Sequence, residues 1–274
     1  MKENFPQKYI TEITGKHKNC LENTPRYARF MIHESISEWT SILGPDVLLL
    51  THREATAKIT KTFLSYNEKQ GQQLLAEEKF QLFLASQIHD WGEIMVENQG
   101  IGDITFDGKN NIMEAAEATI FNKIISSVGE ESIKEKFSVV YWDIVMNRDT
   151  KLGEIFNAIE RIGYLQTAIR AFVGREDGKK IENWRGLAGN VLSNQMQEVL
   201  KYSKKYPYVF YFLVKEKASI EKIFEDVGDI EVSLDNAGVQ SYSYERLQQA
   251  YGCWKASEFS DFKEVVDAFS LKKG

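Results

Sequence analysis

The sequence predicts an all-α protein built as a helical bundle, and two observations carry that prediction. The chain has four prolines, which are Pro6, Pro25, Pro45 and Pro207, so none falls within residues 46–206. Because proline disfavours helix interiors by about 3 kcal/mol, a long proline-free stretch suits a stack of helices. Apolar residues in this stretch recur at helical spacing, and the breaks between them are short and polar, as in a bundle.

Capping and turn residues mark the helices in the first part of the chain. Thr24 followed by Pro25 is typical of a helix start, because the hydroxyl can cap the first turn and proline fits its first position. A Gly-Pro step at 44–45 ends this helix, and Asp46 can cap the next one. A third helix is predicted at about 74–89.

The remainder of the chain is also predicted to be mostly helical, after a glycine- and asparagine-rich loop at 97–111. Helical patterns follow at about 112–128, 131–146, 151–173 and 182–205. The aromatic and β-branched run 208–214 fits either a strand or the buried start of a helix. Two short helices near 244–252 and 258–270 complete the prediction.

A polar, glycine-containing stretch at 174–181 suggests a boundary within the chain. We therefore divide the sequence into an N-terminal segment at 1–24, a helical core at 25–175 and a mostly helical C-terminal extension at 176–274. The extension contains no motif that indicates a function.

Composition excludes several classes of protein. Hydrophobic residues make up 43% of the chain and charged residues 27%, which are values of globular proteins. The net charge of −6 argues against a surface that coats a nucleic-acid polymer or an anionic membrane. Two cysteines, Cys20 and Cys253, exclude a disulfide scaffold and a four-cysteine zinc site. No apolar run approaches membrane-spanning length and no secretory signal begins the sequence, so we expect a cytoplasmic protein.

A histidine–aspartate pair is the first candidate for chemistry. His89 and Asp90 end an apolar helix, where burying both side chains is unfavourable unless something compensates. A divalent metal ion does so, because imidazole and carboxylate are standard ligands of zinc, manganese and iron. Glu93 follows one helical turn after Asp90, and Asp103 lies in the next loop. A pair considered alone is more often a structural helix end, with histidine near the negative end of the helix dipole.

The order of these residues resembles the HD superfamily of metal-dependent phosphohydrolases. In that family a histidine on an earlier helix, the His-Asp pair and a carboxylate on a later helix hold the metal. Here His52 lies 37 residues before His89, which suits two antiparallel helices and a turn. The resemblance covers about residues 25–172. It implies an HD-domain helical bundle with His52, His89 and Asp90 as ligands of a divalent ion, which is Mn, Co, Zn, Fe or Mg.

The sequence is most similar to the HD 5′-deoxyribonucleotidase branch. The signature of that branch is His-Asp-x-x-Glu, a spacer, Gly-Asp and then a lysine. Here these elements end at Glu93, Asp103 and Lys109, with a longer spacer. The resemblance implies that Glu93 positions or activates the attacking water and that Asp103 acts as general acid or base. Glu117, on the next helix, would be a supporting carboxylate.

The last metal ligand departs from the family pattern. The family has an aspartate within a later helix, and the matching position here is Glu160. Glutamate binds the same metals, but its side chain is longer by one methylene, so the site must recede to accept it. Asp143 and Asp149 are alternatives that lie earlier in the chain.

Basic residues complete the expected site. HD nucleotidases hold the substrate phosphate with an arginine of an early helix, and arginine suits phosphate because it donates two parallel hydrogen bonds. The resemblance therefore implies that Arg29 and Lys109 bind phosphate, whereas we expect Arg26 at the protein surface. It also implies a homodimer, because HD nucleotidases often dimerise through helices.

Two hypotheses about function follow. The first is a divalent-metal-dependent phosphohydrolase that acts on a small phosphate monoester, which by family analogy is a nucleoside monophosphate. The second is a catalytically degraded protein of the same fold that binds a nucleotide or a partner, which the glutamate at position 160 and the unmatched extension favour. Hydrolysis of a cyclic or alarmone nucleotide would keep the metal site and change only the pocket.

Overall fold

The computed structural model describes residues 5–23, 26, 34–95, 111–228 and 244–257. These residues form α-helices joined by short turns, and no strand occurs among them, which confirms the all-α prediction. The helices are α1 (Phe5–Lys16), α2 (Lys18–Asn23), α3 (Ile36–Leu43), α4 (Leu49–Lys69), α5 (Ala76–Ile88), α6 (Asn111–Ser126), α7 (Glu131–Val140), α8 (Lys151–Val173), α9 (Trp184–Ser203), α10 (Pro207–Gly228) and α11 (Tyr244–Lys255). Short 3₁₀ turns lie at Gly44–Asp46 and Trp91–Met95, and a π-helical turn lies at Tyr141–Met146.

Helix α10 resolves the ambiguous aromatic run. Residues 208–214 are helical, so the strand alternative is wrong. Val209, Phe212 and Leu213 are buried, and their spacing of three and four residues places them on one face of the helix. The predicted helix start at Thr24 and Pro25 lies outside the described residues, as do positions 97–110 of the predicted loop and the predicted helix at 258–270.

The prediction that Asp46 caps the following helix is wrong. Helix α4 begins at Leu49 without a side-chain capping hydrogen bond. The Asp46 carboxylate instead accepts hydrogen bonds from the side chains of Arg26, His52 and Thr167. Hydrogen bonds from a charged donor are stronger than those from a backbone N–H, and burial strengthens them further.

A continuous hydrophobic core runs through the described helices, from α1 to α11. Its largest fully buried side chains include Trp39, Phe63, Phe121, Phe156 and Trp254. Helix α9 packs against α8, α10 and α11, so the C-terminal helices contribute to this core. The division of the chain at residues 175 and 176 stays a prediction. No helix among the described residues has the length and apolarity to span a membrane.

Packing of α4 against α5 positions the candidate site. Residues 70–75 turn the chain back, so the C-terminal end of α5 lies beside the N-terminal end of α4. There the Gln87 side-chain amide donates a hydrogen bond to the Arg53 carbonyl at 3.2 Å. Helix α8 packs against both helices and closes the site from a third side.

Candidate metal centre

Two histidines and one aspartate bring three ligating atoms together at this end of the bundle. His52 Nε2 lies 3.1 Å from His89 Nε2. Asp90 Oδ2 lies 3.4 Å from the first nitrogen and 3.3 Å from the second. Atoms spaced in this way can all lie about 2.1 Å from one ion, the usual length of zinc bonds to imidazole nitrogen and carboxylate oxygen. The described part of the chain thus contains a cluster that could hold a metal ion.

The helix ends determine where these side chains lie. His52 is in the first turn of α4, and His89 caps the C-terminal end of α5 with its N–H bonded to the Ala85 carbonyl. Asp90 follows directly, before the chain enters the 3₁₀ turn at Trp91–Met95. The two histidines are 6% and 8% exposed, while the side chain of Asp90 is 20% exposed. The cluster is therefore buried on its histidine side.

Asp46 holds His52 in one orientation. Its Oδ1 accepts hydrogen bonds from His52 Nδ1 at 2.7 Å and from Arg26 Nη1 at 3.0 Å, and its Oδ2 accepts one from Thr167. Burial alone would raise the pKa of Asp46, but the Arg26 charge and the bonds from His52 and Thr167 outweigh it and lower the pKa to about 2. The carboxylate is therefore ionised, and it orients the imidazole as outer-shell carboxylates do in metal sites.

The resulting tautomer favours a cation within the cluster. An ionised Asp46 can only accept, so His52 donates from Nδ1, and the neutral form of the ring then carries a lone pair on Nε2. This Nε2 lies 3.4 Å from Asp90 Oδ2, 3.1 Å from His89 Nε2 and 3.2 Å from the Thr56 hydroxyl oxygen. Acceptor atoms at such distances repel unless a proton or a cation lies between them. One proton can lie between only two of these atoms, whereas one divalent cation can bind both Nε2 nitrogens and the carboxylate oxygen.

His89 is held by packing. Its ring meets the Phe156 ring at a centroid distance of 5.5 Å, and its Nδ1 has no hydrogen-bond partner among the described residues. Burial lowers the pKa of His89, although the neighbouring Asp90 carboxylate acts in the opposite direction. A lowered pKa favours the neutral imidazole, which is the form that binds metals.

Glu160, the predicted fourth ligand, is outside the group of three. Its carboxylate does not join the ligand atoms that lie within 4.8 Å of one another. The alternatives Asp143 and Asp149 are exposed and are not part of that group either. The role of Glu160 as a ligand stays a prediction.

Gly92 allows the 3₁₀ turn that contains Glu93 to pack closely against α6. A Cβ atom at Gly92 would lie 2.6 Å from the carbonyl oxygen of Glu117, so only glycine permits this approach. Glu93 is half-buried in this turn, and Glu117 is buried. Two carboxylates predicted to serve the reaction therefore lie on elements in direct contact. Their catalytic roles stay predictions.

The structure corrects the expectation for Arg26. Its side chain is 11% exposed, bonded to Asp46 and placed over the Tyr164 ring at 5.6 Å, so it is not a surface arginine. It is buried because Asp46 needs a positive partner within the protein. Arg29, Asp103 and Lys109 lie outside the described residues, and their predicted roles are untested.

Comparisons with protein-family models, curated proteins and solved structures found no match. The resemblance to the HD superfamily therefore depends on the order and spacing of the residues discussed above.

Asp46 and Thr167 are the site residues that sequence reasoning missed. Asp46 has a local signal, because an acid six residues before a candidate ligand histidine lies within reach of its ring. Thr167 has none, because 121 residues separate it from Asp46 and only the packing of α8 brings them together.

Proposed function

We propose that this protein is a divalent-metal-dependent phosphohydrolase that acts on a small phosphate monoester. A nucleoside monophosphate is the substrate class that we propose first. The observation that carries the proposal is the cluster of His52 Nε2, His89 Nε2 and Asp90 Oδ2. The order and spacing of these residues, which resemble those of the HD nucleotidases, support the choice of reaction. The net charge of −6 fits a small substrate better than a nucleic-acid polymer.

The donor set favours some metals over others. Two imidazole nitrogens and one carboxylate suit zinc, iron, cobalt and manganese better than magnesium, which prefers oxygen ligands. When bound, the ion would lower the pKa of a coordinated water and offset charge on the phosphate. Hydrolysis forms a bond from the water oxygen to phosphorus and breaks the bond to the ester oxygen, which leaves as an alcohol.

The residues of this chain have separate tasks in the proposed reaction. His52, His89 and Asp90 hold the ion, and Asp46 keeps His52 Nε2 directed at it. Glu93 positions the attacking water and takes its proton. Asp103 gives a proton to the leaving oxygen.

A second candidate function is a protein of the same fold that binds metal without turnover. The position of Glu160 outside the three-atom group favours it. Fewer protein ligands weaken binding and change the arrangement of water around the ion.

One experiment separates these functions. The protein is stripped of metal and reloaded separately with Mn²⁺, Co²⁺, Zn²⁺, Fe²⁺ and Mg²⁺. Each sample is offered nucleoside mono-, di- and triphosphates, beside Asp90→Asn and the exposed control Asp149→Asn. We expect metal-dependent phosphate release that Asp90→Asn abolishes and Asp149→Asn retains. Stoichiometric metal without release from any substrate favours the second candidate, and wild-type protein that binds no metal contradicts both.

A further inference from the structure

A cavity of about 350 Å³ lies toward the opposite end of α4 from the metal centre. Its walls come from the C-terminal half of α4, the connection to α5 with the first turn of α5, the start of α8 and the residues before α10. Phe63, on one wall, follows His52 by eleven residues, which corresponds to about 17 Å along the helix. The cavity is therefore separate from the metal centre, and a molecule bound in it would take no part in the proposed reaction.

Most of the cavity surface is apolar. Phe63, Leu64, Leu74 and Ile155 line it, and Tyr206 closes one side with its ring 5.5 Å from that of Phe63. A concave apolar space of this size, with a few polar groups at its edge, is typical of small-molecule sites.

The charged lining residues of the cavity are all lysines. Lys79, Lys151 and Lys205 come from three separate elements and converge on it, and no acidic residue is among its described lining. Their Nζ atoms pair with Glu68 at 2.7 Å, Glu78 at 2.7 Å and Glu154 at 2.5 Å, all of which lie outside the lining. Such solvent-accessible pairs contribute little to stability, so the ammonium groups can turn toward an acid in the cavity at small cost.

Asn67 supplies a polar group to the same cavity. It is 4% exposed, and its Oδ1 accepts a hydrogen bond from the Tyr208 backbone N–H at 2.8 Å. Because the residue lines the cavity and its Oδ1 is already engaged, its amide group is the one that can donate a hydrogen bond to an oxygen atom of a bound molecule.

We infer that this cavity binds a small organic acid with an apolar, ring-sized body. The body packs between Phe63 and Ile155, and the three lysines hold the acid group. Both features are needed for this selectivity. The apolar walls do not distinguish an acid from a neutral molecule, and exposed lysines without them bind an acid only weakly.

Two dyes with the same ring system test the inference on the full chain. Anilinonaphthalenesulfonate carries an acid group, whereas phenylnaphthylamine has the same apolar body without it. We expect the sulfonate to bind one molecule per chain, with saturable fluorescence and about tenfold higher affinity than the neutral dye. Absence of saturable binding, or equal affinity for the two dyes, would overturn the inference.

Matched variants locate the binding site. The first changes Lys79, Lys151 and Lys205 to Gln, and the control changes Lys16, Lys134 and Lys217 to Gln, which also form ion pairs with glutamates but lie elsewhere. We expect the first to lose the preference for the sulfonate and the control to keep it. Leu74→Trp, which fills the cavity, is expected to weaken both dyes. Equal loss in both triple variants, or full binding by Leu74→Trp, would place the dye elsewhere and contradict the inference.

Discussion

The two ends of α4 hold charge in opposite ways. At the N-terminal end, Asp46 is buried and accepts hydrogen bonds from Arg26, His52 and Thr167. At the C-terminal end, the charges near the cavity are solvent-accessible ion pairs. A buried charge with several fixed partners holds one geometry, whereas exposed pairs exchange readily. The first arrangement suits a ligand set that must not move, and the second suits a group that turns toward an incoming acid.

The largest expected effect comes from removing a predicted metal ligand at the N-terminal end of α4. Asp90→Asn replaces a charged ligand oxygen by a neutral amide of the same shape. We expect metal affinity to fall by more than the roughly 100-fold that loss of an outer-shell partner costs. Calorimetric titration of the stripped protein with Zn²⁺ measures the effect, with Asp149→Asn as control. Equal affinity in both variants would remove Asp90 from the site.

Asp46→Asn breaks the buried network without removing a ligand. Arg26 then loses its buried carboxylate partner, so we expect the free energy of unfolding to fall by about 3 kcal/mol. We also expect metal affinity to fall about 10- to 100-fold, because His52 Nε2 is no longer held in one tautomer. Urea unfolding and metal titration measure the two effects. A destabilised variant with unchanged metal affinity would make Asp46 purely structural.

Gly92→Ala tests the close contact between the Glu93 turn and α6. The added methyl group would lie 2.6 Å from the Glu117 carbonyl oxygen, so one of the two elements must shift. We expect a loss of about 1–3 kcal/mol in the free energy of unfolding. The control is Gly129→Ala, because a Cβ at that position meets nothing within 4 Å. Similar stability for both variants would mean that the contact relaxes without strain.

The smallest expected effect on stability comes from Lys151→Gln, which breaks one of the exposed ion pairs beside the cavity. The side chain is 63% exposed and pairs with Glu78. We expect the free energy of unfolding to change by less than about 1 kcal/mol, and the Lys134→Gln control to behave in the same way. A much larger loss in urea unfolding would show that the pair is fixed, which would contradict the exchange on which acid binding depends.

The metal cluster could be predicted because its residues carry their own local signals. His89 and Asp90 are adjacent in sequence, and the distance to His52 matches two helices joined by a turn. The helices themselves could be predicted from proline placement and apolar periodicity. The run 208–214 could not be assigned, because a short apolar stretch has no period that separates a strand from a buried helix.

The partners of the cluster could not be predicted, because tertiary packing brings them together. Thr167 reaches Asp46 from a helix 121 residues away. Arg26 is expected at the surface by default, and only the buried carboxylate of Asp46 explains its position. The cavity at the other end of α4 likewise combines residues from four parts of the chain, none of which carries a motif.

The most direct test of the account is anomalous X-ray scattering from crystals loaded with Zn²⁺, collected on both sides of its absorption edge. We predict one strong peak that lies about 2.1 Å from His52 Nε2, His89 Nε2 and an Asp90 carboxylate oxygen, and that disappears in Asp90→Asn. Crystals that show no peak at this cluster would contradict the metal centre and leave His89 and Asp90 as a structural helix end.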